Sequence, residues 1–224
     1  MIEKPEKILE LREKPSSRIV LEIFRHGKKE DRKDLPNELL MLTPEGRKQA
    51  IEKGKELRPQ PDISVAVGSL KRRTQETAGR AMLAEKQDIT PEMSLKEIEQ
   101  IIGKEQKYGK KIISDSHLDF SLGGPITKKV KEAVASDNLL NYAIYKSDQD
   151  ALNLKDEITF TYSRSAGNLA ELIKKYISIA PKFDKIVQKN PEKYAQFNNQ
   201  MERYMGTHQT IPESLLAKAI EKIK

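Results

Sequence analysis

Between Arg18 and Phe24 the chain reads RIVLEIF, a β-branched and almost unbroken apolar run. Such a run predicts a central strand buried on both faces, as in parallel sheets. It stops at Arg25-His26-Gly27. KKEDRKDLPNELLM then predicts an exposed loop, and LTPEGRKQAIEKGKEL a helix with Thr43 as N-cap and Pro44 at its first position. PDISVAVGS predicts a second strand, and LKRRTQETAGRAMLAE a second helix with Leu70, Thr74, Thr77, Ala78 and Ala81 along one face. This βαβα alternation predicts an α/β fold with parallel strands joined by right-handed crossovers.

Further along, MSLKEIE is expected as a short third strand. Residues 100 to about 200 change character: they are lysine-rich and mainly helical, interrupted by the loop-like SDSHLDFSLGGP. Leu169, Leu172, Ile173, Tyr176, Ile177 and Ala180 follow a helical period and predict one apolar helix face. QMERYMGTH alternates like a strand. IPESLLAKAIEKIK is expected to close the chain as a helix, with Pro212 near its first turn and Leu215, Leu216, Ala219 and Ile223 facing inward. The charged, Pro-punctuated opening to Ser17 is expected to fray or to form a short helix.

The 224 residues suit one domain, 1–224, carrying residues 100–200 as a helical insertion or cap. No segment approaches the ~20 apolar residues that span a bilayer. MIEKPEKILELREKPSS also lacks the apolar centre and small-residue cleavage site of a signal peptide, so a cytoplasmic protein without membrane attachment is expected. With no cysteine there is no disulfide framework and no thiolate metal site. The net charge of +7 comes from 41 Lys and Arg against 34 Asp and Glu, which favours acidic ligands. Aromatics at 5%, and lysines mostly beside glutamates at helical spacing, argue against a nucleic-acid surface.

Chemistry gathers where the predicted strands end. Arg25 and His26 leave the first strand, Ser69 leaves the second, Arg73 sits in the first turn of the following helix, and His208 leaves the last strand. A helix N-terminus offers free N–H groups to an anion, and an arginine there adds a bidentate phosphate clamp that lysine does not reproduce. On one rim of a parallel sheet, two arginines and two histidines would converge on a tetrahedral anion.

Four pieces, in order, resemble the histidine phosphatase superfamily, the phosphoglycerate-mutase-like fold: FRHGKK, LTPEGRKQA, VAVGSLKRRTQETA and GTHQTIPESLL. The resemblance implies a three-layer α/β/α sandwich with a mostly parallel central sheet. It implies His26 as the nucleophile that takes the phosphoryl group, Arg25, Arg73 and His208 around the phosphate oxygens, and no metal or cofactor. SLKEIE resembles the L-x-E segment of the mutase-like branch, which implies Glu97 as the proton donor, with Asp115, Asp119 and Glu213 in reserve. His117, a lone loop histidine between carboxylates, is expected to be structural.

The implied activity is metal-independent phosphomonoester hydrolysis through phosphohistidine, acting on a phosphorylated small molecule or a phosphoprotein. A phosphotransferring mutase, or a non-catalytic phospho-ligand or protein-binding module on the same fold, is the alternative. Gly68-Ser69 lacks the proline that the family usually places next, and Arg72 adds a neighbouring cation. The lysine-rich stretch replaces the usual connection, which leaves the substrate open, and neither pattern nor resemblance addresses oligomeric state.

Overall fold

A four-stranded, all-parallel sheet organises the computed structural model, which describes residues 17–57, 63–86, 88–105, 107–195, 197 and 199–223. The expected structure of the opening segment therefore lies outside the described residues, apart from Ser17. The strands are β1 (Arg18–Arg25), β2 (Ile63–Gly68), β3 (Ile113–Ser114) and β4 (Gln200–Thr207), in the order β1-β4-β2-β3. Register sets the rim: Arg25 pairs with Thr207, and Gly68 with Gly206. The next residues, His26, Ser69 and His208, therefore emerge side by side at the carboxyl ends of three adjacent strands.

The apolar run of β1 suggested a central strand, but β1 borders only β4 and is half-buried along most of its length. The central position belongs to β4, which is buried at seven of its eight positions although its sequence alternates. Its polar side chains are absorbed by partners: the Tyr204 hydroxyl donates to Glu202 at 2.8 Å, and the Arg203 guanidinium lies over the Tyr176 ring.

Helices cover both faces of the sheet, making three layers. On one side are α1 (Pro44–Leu57), α2 (Arg72–Leu83) and α3 (Leu95–Lys104), whose Ile51, Ala78, Leu83, Ile98 and Ile102 pack with Phe24, Ala66 and Tyr204. Chain elements α4 (Thr127–Ala135), α5 (Leu139–Tyr145) and α6 (Ser147–Asn153) gather their own cluster around Ile126, Val130, Ala143 and Phe160. The opposite face of the sheet is covered by α7 (Tyr162–Ile177) and α9 (Ile211–Ile223), whose Leu169, Leu172, Tyr176 and Ile211 meet Val67 and Met205. Between them in sequence, α8 (Ala180–Lys189) packs Phe183 and Val187 on Met201. No helix among the described residues is long and apolar enough to cross a membrane.

Four local expectations change. MSLKEIE is not a strand: Ser94 and Glu97 form a capping box, the Glu97 N–H donating to Ser94 Oγ at 3.3 Å and the Ser94 N–H to the Glu97 carboxylate at 2.7 Å. That reciprocal pair satisfies two orphan N–H groups and starts α3. The apolar face of α7 ends at Tyr176, because the helix stops at Ile177, which is exposed, and Ala180 already belongs to α8. In α9 the packed face runs through Ile211, Ser214 and Leu215, leaving Leu216, Ala219 and Ile223 outward. Leu70 likewise precedes α2 and is exposed.

Two glycines let backbones touch where the site forms. A Cβ on Gly206 would lie 2.1 Å from the Thr74 carbonyl oxygen, so β4 and the first turn of α2 meet directly. A Cβ on Gly27 would lie 2.3 Å from the Gly46 carbonyl oxygen, which fastens the loop after His26 to the start of α1.

Below the site, Glu76 is fully buried and gathers four donors or cations. It accepts from the Leu42 N–H at 2.9 Å and from Arg80 Nε and Nη2 at 3.2 and 2.9 Å, and it pairs with Arg47 at 2.9 Å. Arg80 in turn donates to the carbonyl oxygens of Thr90 and Met93. One carboxylate thus ties α1, α2, the loop after β1 and the approach to α3. Removing a partner from a buried ion network strands the rest, so Glu76→Ala is expected to lower unfolding free energy by about 3–5 kcal/mol in urea titration.

Candidate active site

His26 is fixed by two hydrogen bonds of opposite sense. Its Nδ1 lies 2.7 Å from the Gly27 carbonyl oxygen, which can only accept, so Nδ1 carries the proton. Nε2 is then the atom with a free lone pair, and it accepts from Arg73 Nε at 3.2 Å. Arg73 is nearly buried and is aimed by a second bond, from Nη1 to the Asn37 carbonyl oxygen at 2.7 Å.

His208 stands edge-on to His26, with ring centroids 5.2 Å apart and planes at 74°. Its Nε2 lies 2.9 Å from Ser69 Oγ and 3.5 Å from Asp119 Oδ1. The Thr74 hydroxyl is committed to the Lys71 carbonyl oxygen at 2.7 Å, so in the Ser69–Thr74 pair, 3.0 Å apart, Ser69 is the donor. Ser69 Oγ then accepts from His208, whose Nε2 carries the proton and also faces Asp119. The same Asp119 oxygen is held by Lys71 Nζ at 2.7 Å, a pair that is almost entirely out of water.

Arg25 leaves the end of β1 exposed, lining with His26, Lys28, Lys29 and Gln49 a hollow of about 560 Å³. On the α2 side Arg73, Lys71, Asp119, Phe120, Leu70 and Leu122 are among the residues around a larger hollow of about 790 Å³. The structure therefore brings His26, Arg73 and His208 into one contact set, with Arg25 at its edge.

Glu97 is not part of that set. It lies in the first turn of α3, its carboxylate bound to Ser94 N and Oγ, both at 2.7 Å. The carboxylate that meets His208 is Asp119, from the loop-like SDSHLDF stretch. Asp115 is bonded instead to His117 at 2.7 Å and Lys175 at 2.8 Å. Lys71 is the residue that sequence reasoning passed over. In LKRR it looks like one more surface cation, and only its position as the α2 N-cap, with its N–H on Ser69 Oγ at 3.2 Å, turns it inward.

Burial, followed by electrostatic contributions from His208, Arg73 and Arg25, pulls the His26 imidazole from 6.5 to about 3, against a raising contribution from the Gly27 carbonyl. Burial also lowers His208, although Asp119 opposes it. Burial works to raise Asp119, but His208 and Lys71 outweigh it and hold the carboxyl far below its usual range. The resting site is thus a neutral imidazole pair beside a buried guanidinium and an ionised carboxylate. Such a site can accept an anion, present a nitrogen lone pair to it, and stabilise charge on its oxygens.

Residues 21–108 match the family model described as the histidine phosphatase superfamily (branch 1). No curated protein matches the chain. Among solved structures, a mycobacterial glucosyl-3-phosphoglycerate phosphatase is 14% identical, over 89% of this chain and 78% of that one, with a TM-score of 0.46. Its complex with inorganic phosphate gives 15% identity, 89% and 77% coverage and a TM-score of 0.44. A protein described as mycobacterial hydrolase 2 gives 14%, 89% and 71%, and 0.44. At that overlap the likeness carries no residue role across.

The lowered imidazole has a sign that can be checked. Above pH 6.5 His26 is neutral folded or unfolded and contributes nothing; between 6.5 and about 3 the unfolded chain takes up a proton that the native site refuses. Native stability is therefore expected to fall as pH drops through that window. Chemical denaturation at a series of pH values should show a shallower fall in His26→Asn than in the wild type, and NMR should show the His26 ring still neutral at pH 5.

Proposed function

We propose that the chain, whose residues 21–108 match the model of the histidine phosphatase superfamily (branch 1), is a metal-independent phosphomonoester hydrolase working through a phosphohistidine on His26. The observation that carries this reading is the His26 tautomer: Nδ1–H is spent on Gly27, so the lone pair of Nε2 is directed toward Arg73.

A phosphate arriving between Arg73 and His26 takes over the Arg73 Nε–H, which frees the Nε2 lone pair for in-line attack on phosphorus. Arg73, with Arg25 at the rim, stabilises the equatorial oxygens as charge redistributes. The bond from phosphorus to the leaving oxygen breaks, and the phosphoryl group rests on nitrogen. Water then attacks the phosphohistidine, and the P–N electron pair returns to Nε2. Positioning explains why His26 is so confined: a nucleophile held by two hydrogen bonds and a glycine contact needs little reorganisation to reach attack geometry. Helices α4 to α6, with their own apolar cluster, serve in this reading as a cap on the leaving-group side.

The test uses p-nitrophenyl phosphate in the presence of EDTA. Wild type is expected to turn over and to leave an acid-labile phosphoenzyme after quench, His26→Ala to do neither, and Arg73→Ala to lose about 10²–10³ in kcat. Turnover by His26→Ala at the wild-type rate would refute the assignment.

A further inference from the structure

We propose that Lys71 sets the leaving-group specificity of this site: by holding Asp119 as a carboxylate it deprives the departing group of a proton, so the substrates are aryl and acyl phosphates rather than alkyl phosphomonoesters. The inference rests on the phosphohistidine reading above and adds to it the chemical class of the substrate.

Asp119 is the carboxylate that meets His208, and its Oδ1 has two cationic or N–H neighbours, Lys71 Nζ at 2.7 Å and His208 Nε2 at 3.5 Å. The Lys71 side chain is 7% exposed and that of Asp119 14%, so a proton placed on Asp119 would leave an ammonium buried without its counter-ion. Of the other carboxylates, two are committed elsewhere. Glu97 caps α3, Asp115 is bonded to Lys175 and His117, and Glu38 stands at the exposed mouth of the larger hollow, near Arg73. General acids contribute when they hold a proton in reach of the leaving oxygen, and this site offers a fixed anion in that place.

The walls fit the same class. Phe120 stacks on Phe160 with centroids 3.8 Å apart and stands 6.2 Å from the His208 ring, while Leu70 and Leu122 complete an apolar side to the hollow. A flat apolar body would lie there.

The step balances without a donor. The Nε2 lone pair forms the N–P bond, the P–O bond breaks, and its electron pair departs on oxygen as phenolate or carboxylate. Water then cleaves the N–P bond, both of its protons leaving with the product as dihydrogen phosphate. Lys71 keeps its own proton in the ion pair with Asp119.

A leaving-group series tests this in the wild type alone: kcat/KM for p-nitrophenyl, phenyl and acetyl phosphates against glycerol 2-phosphate. A steep dependence is expected, with the alkyl ester at least about 10²-fold below the aryl esters, the contribution a general acid would otherwise make. A flat series, with the alkyl ester within about tenfold of the aryl esters, overturns the inference, because some group is then delivering a proton.

Lys71→Leu, which releases Asp119 to take up a proton, is expected to narrow the aryl-to-alkyl ratio by about tenfold or more. Should that variant fail to fold, Asp119→Asn decides: an unchanged ratio supports the inference, and a selective loss of about 10² on the alkyl ester overturns it. No turnover on any of these compounds, with no phosphoenzyme on His26, is a different result and sinks the hydrolase reading itself.

Discussion

The hydrogen bond from Arg73 Nε to His26 Nε2 joins the end of β1 to the first turn of α2, 47 residues further on, and the site exists only because those two places touch. They touch because β4 lies between β1 and β2 in a register that aligns all three strand ends. Gly206 then removes the side chain that would hold α2 away, since a Cβ there would sit 2.1 Å from the Thr74 carbonyl oxygen. Backbone contact of this kind is stiff, so small displacements of α2 translate directly into the distance between guanidinium and imidazole.

A second constraint is electrostatic. Arg25, Arg73, Lys71 and two imidazoles occupy one rim with Asp119 as their buried counter-charge, and burial keeps both rings neutral. Protonated rings would repel the arginines and remove the lone pair that the chemistry needs. The same concentration of positive charge makes an anion the natural occupant, because a phosphate supplies matching negative charge. Lys71 is the exception to this openness, since its charge is already taken by Asp119 at 2.7 Å. The pair therefore shapes the site from within rather than recruiting ligand.

Much of the scaffold was legible because local signals and tertiary demands agreed. Thr43-Pro44 announces α1, and the Gly46 N–H does donate to Thr43 Oγ1 at 3.1 Å. The β-branched runs of β1 and β2 and the apolar spacing at Leu169, Leu172 and Tyr176 likewise match their elements. Misreadings came where one signal masked another. In MSLKEIE the apolar positions hid a capping box, and the Leu-x-Glu resemblance assigned chemistry to Glu97, a residue whose carboxylate starts a helix. In β1 composition implied a central strand, yet centrality belongs to sheet order, and the more polar β4 took that place by satisfying its polar groups internally.

Local sequence by itself determined β1, β2, β4, the capped start of α1 and the residue types at the strand ends, because propensity, capping and phosphate chemistry are short-range properties. It also determined that Arg25, His26, Arg73 and His208 follow or flank strand ends. Tertiary structure alone decided the rest: that β4 separates β1 from β2, that Arg73 finds Nε2 rather than Nδ1, that Asp119 and not Glu97 faces His208, and that Lys71 turns inward. Each of these depends on groups distant in the chain competing for one desolvated place. The outcome of that competition is set by packing and charge pairing, which no short stretch of sequence contains.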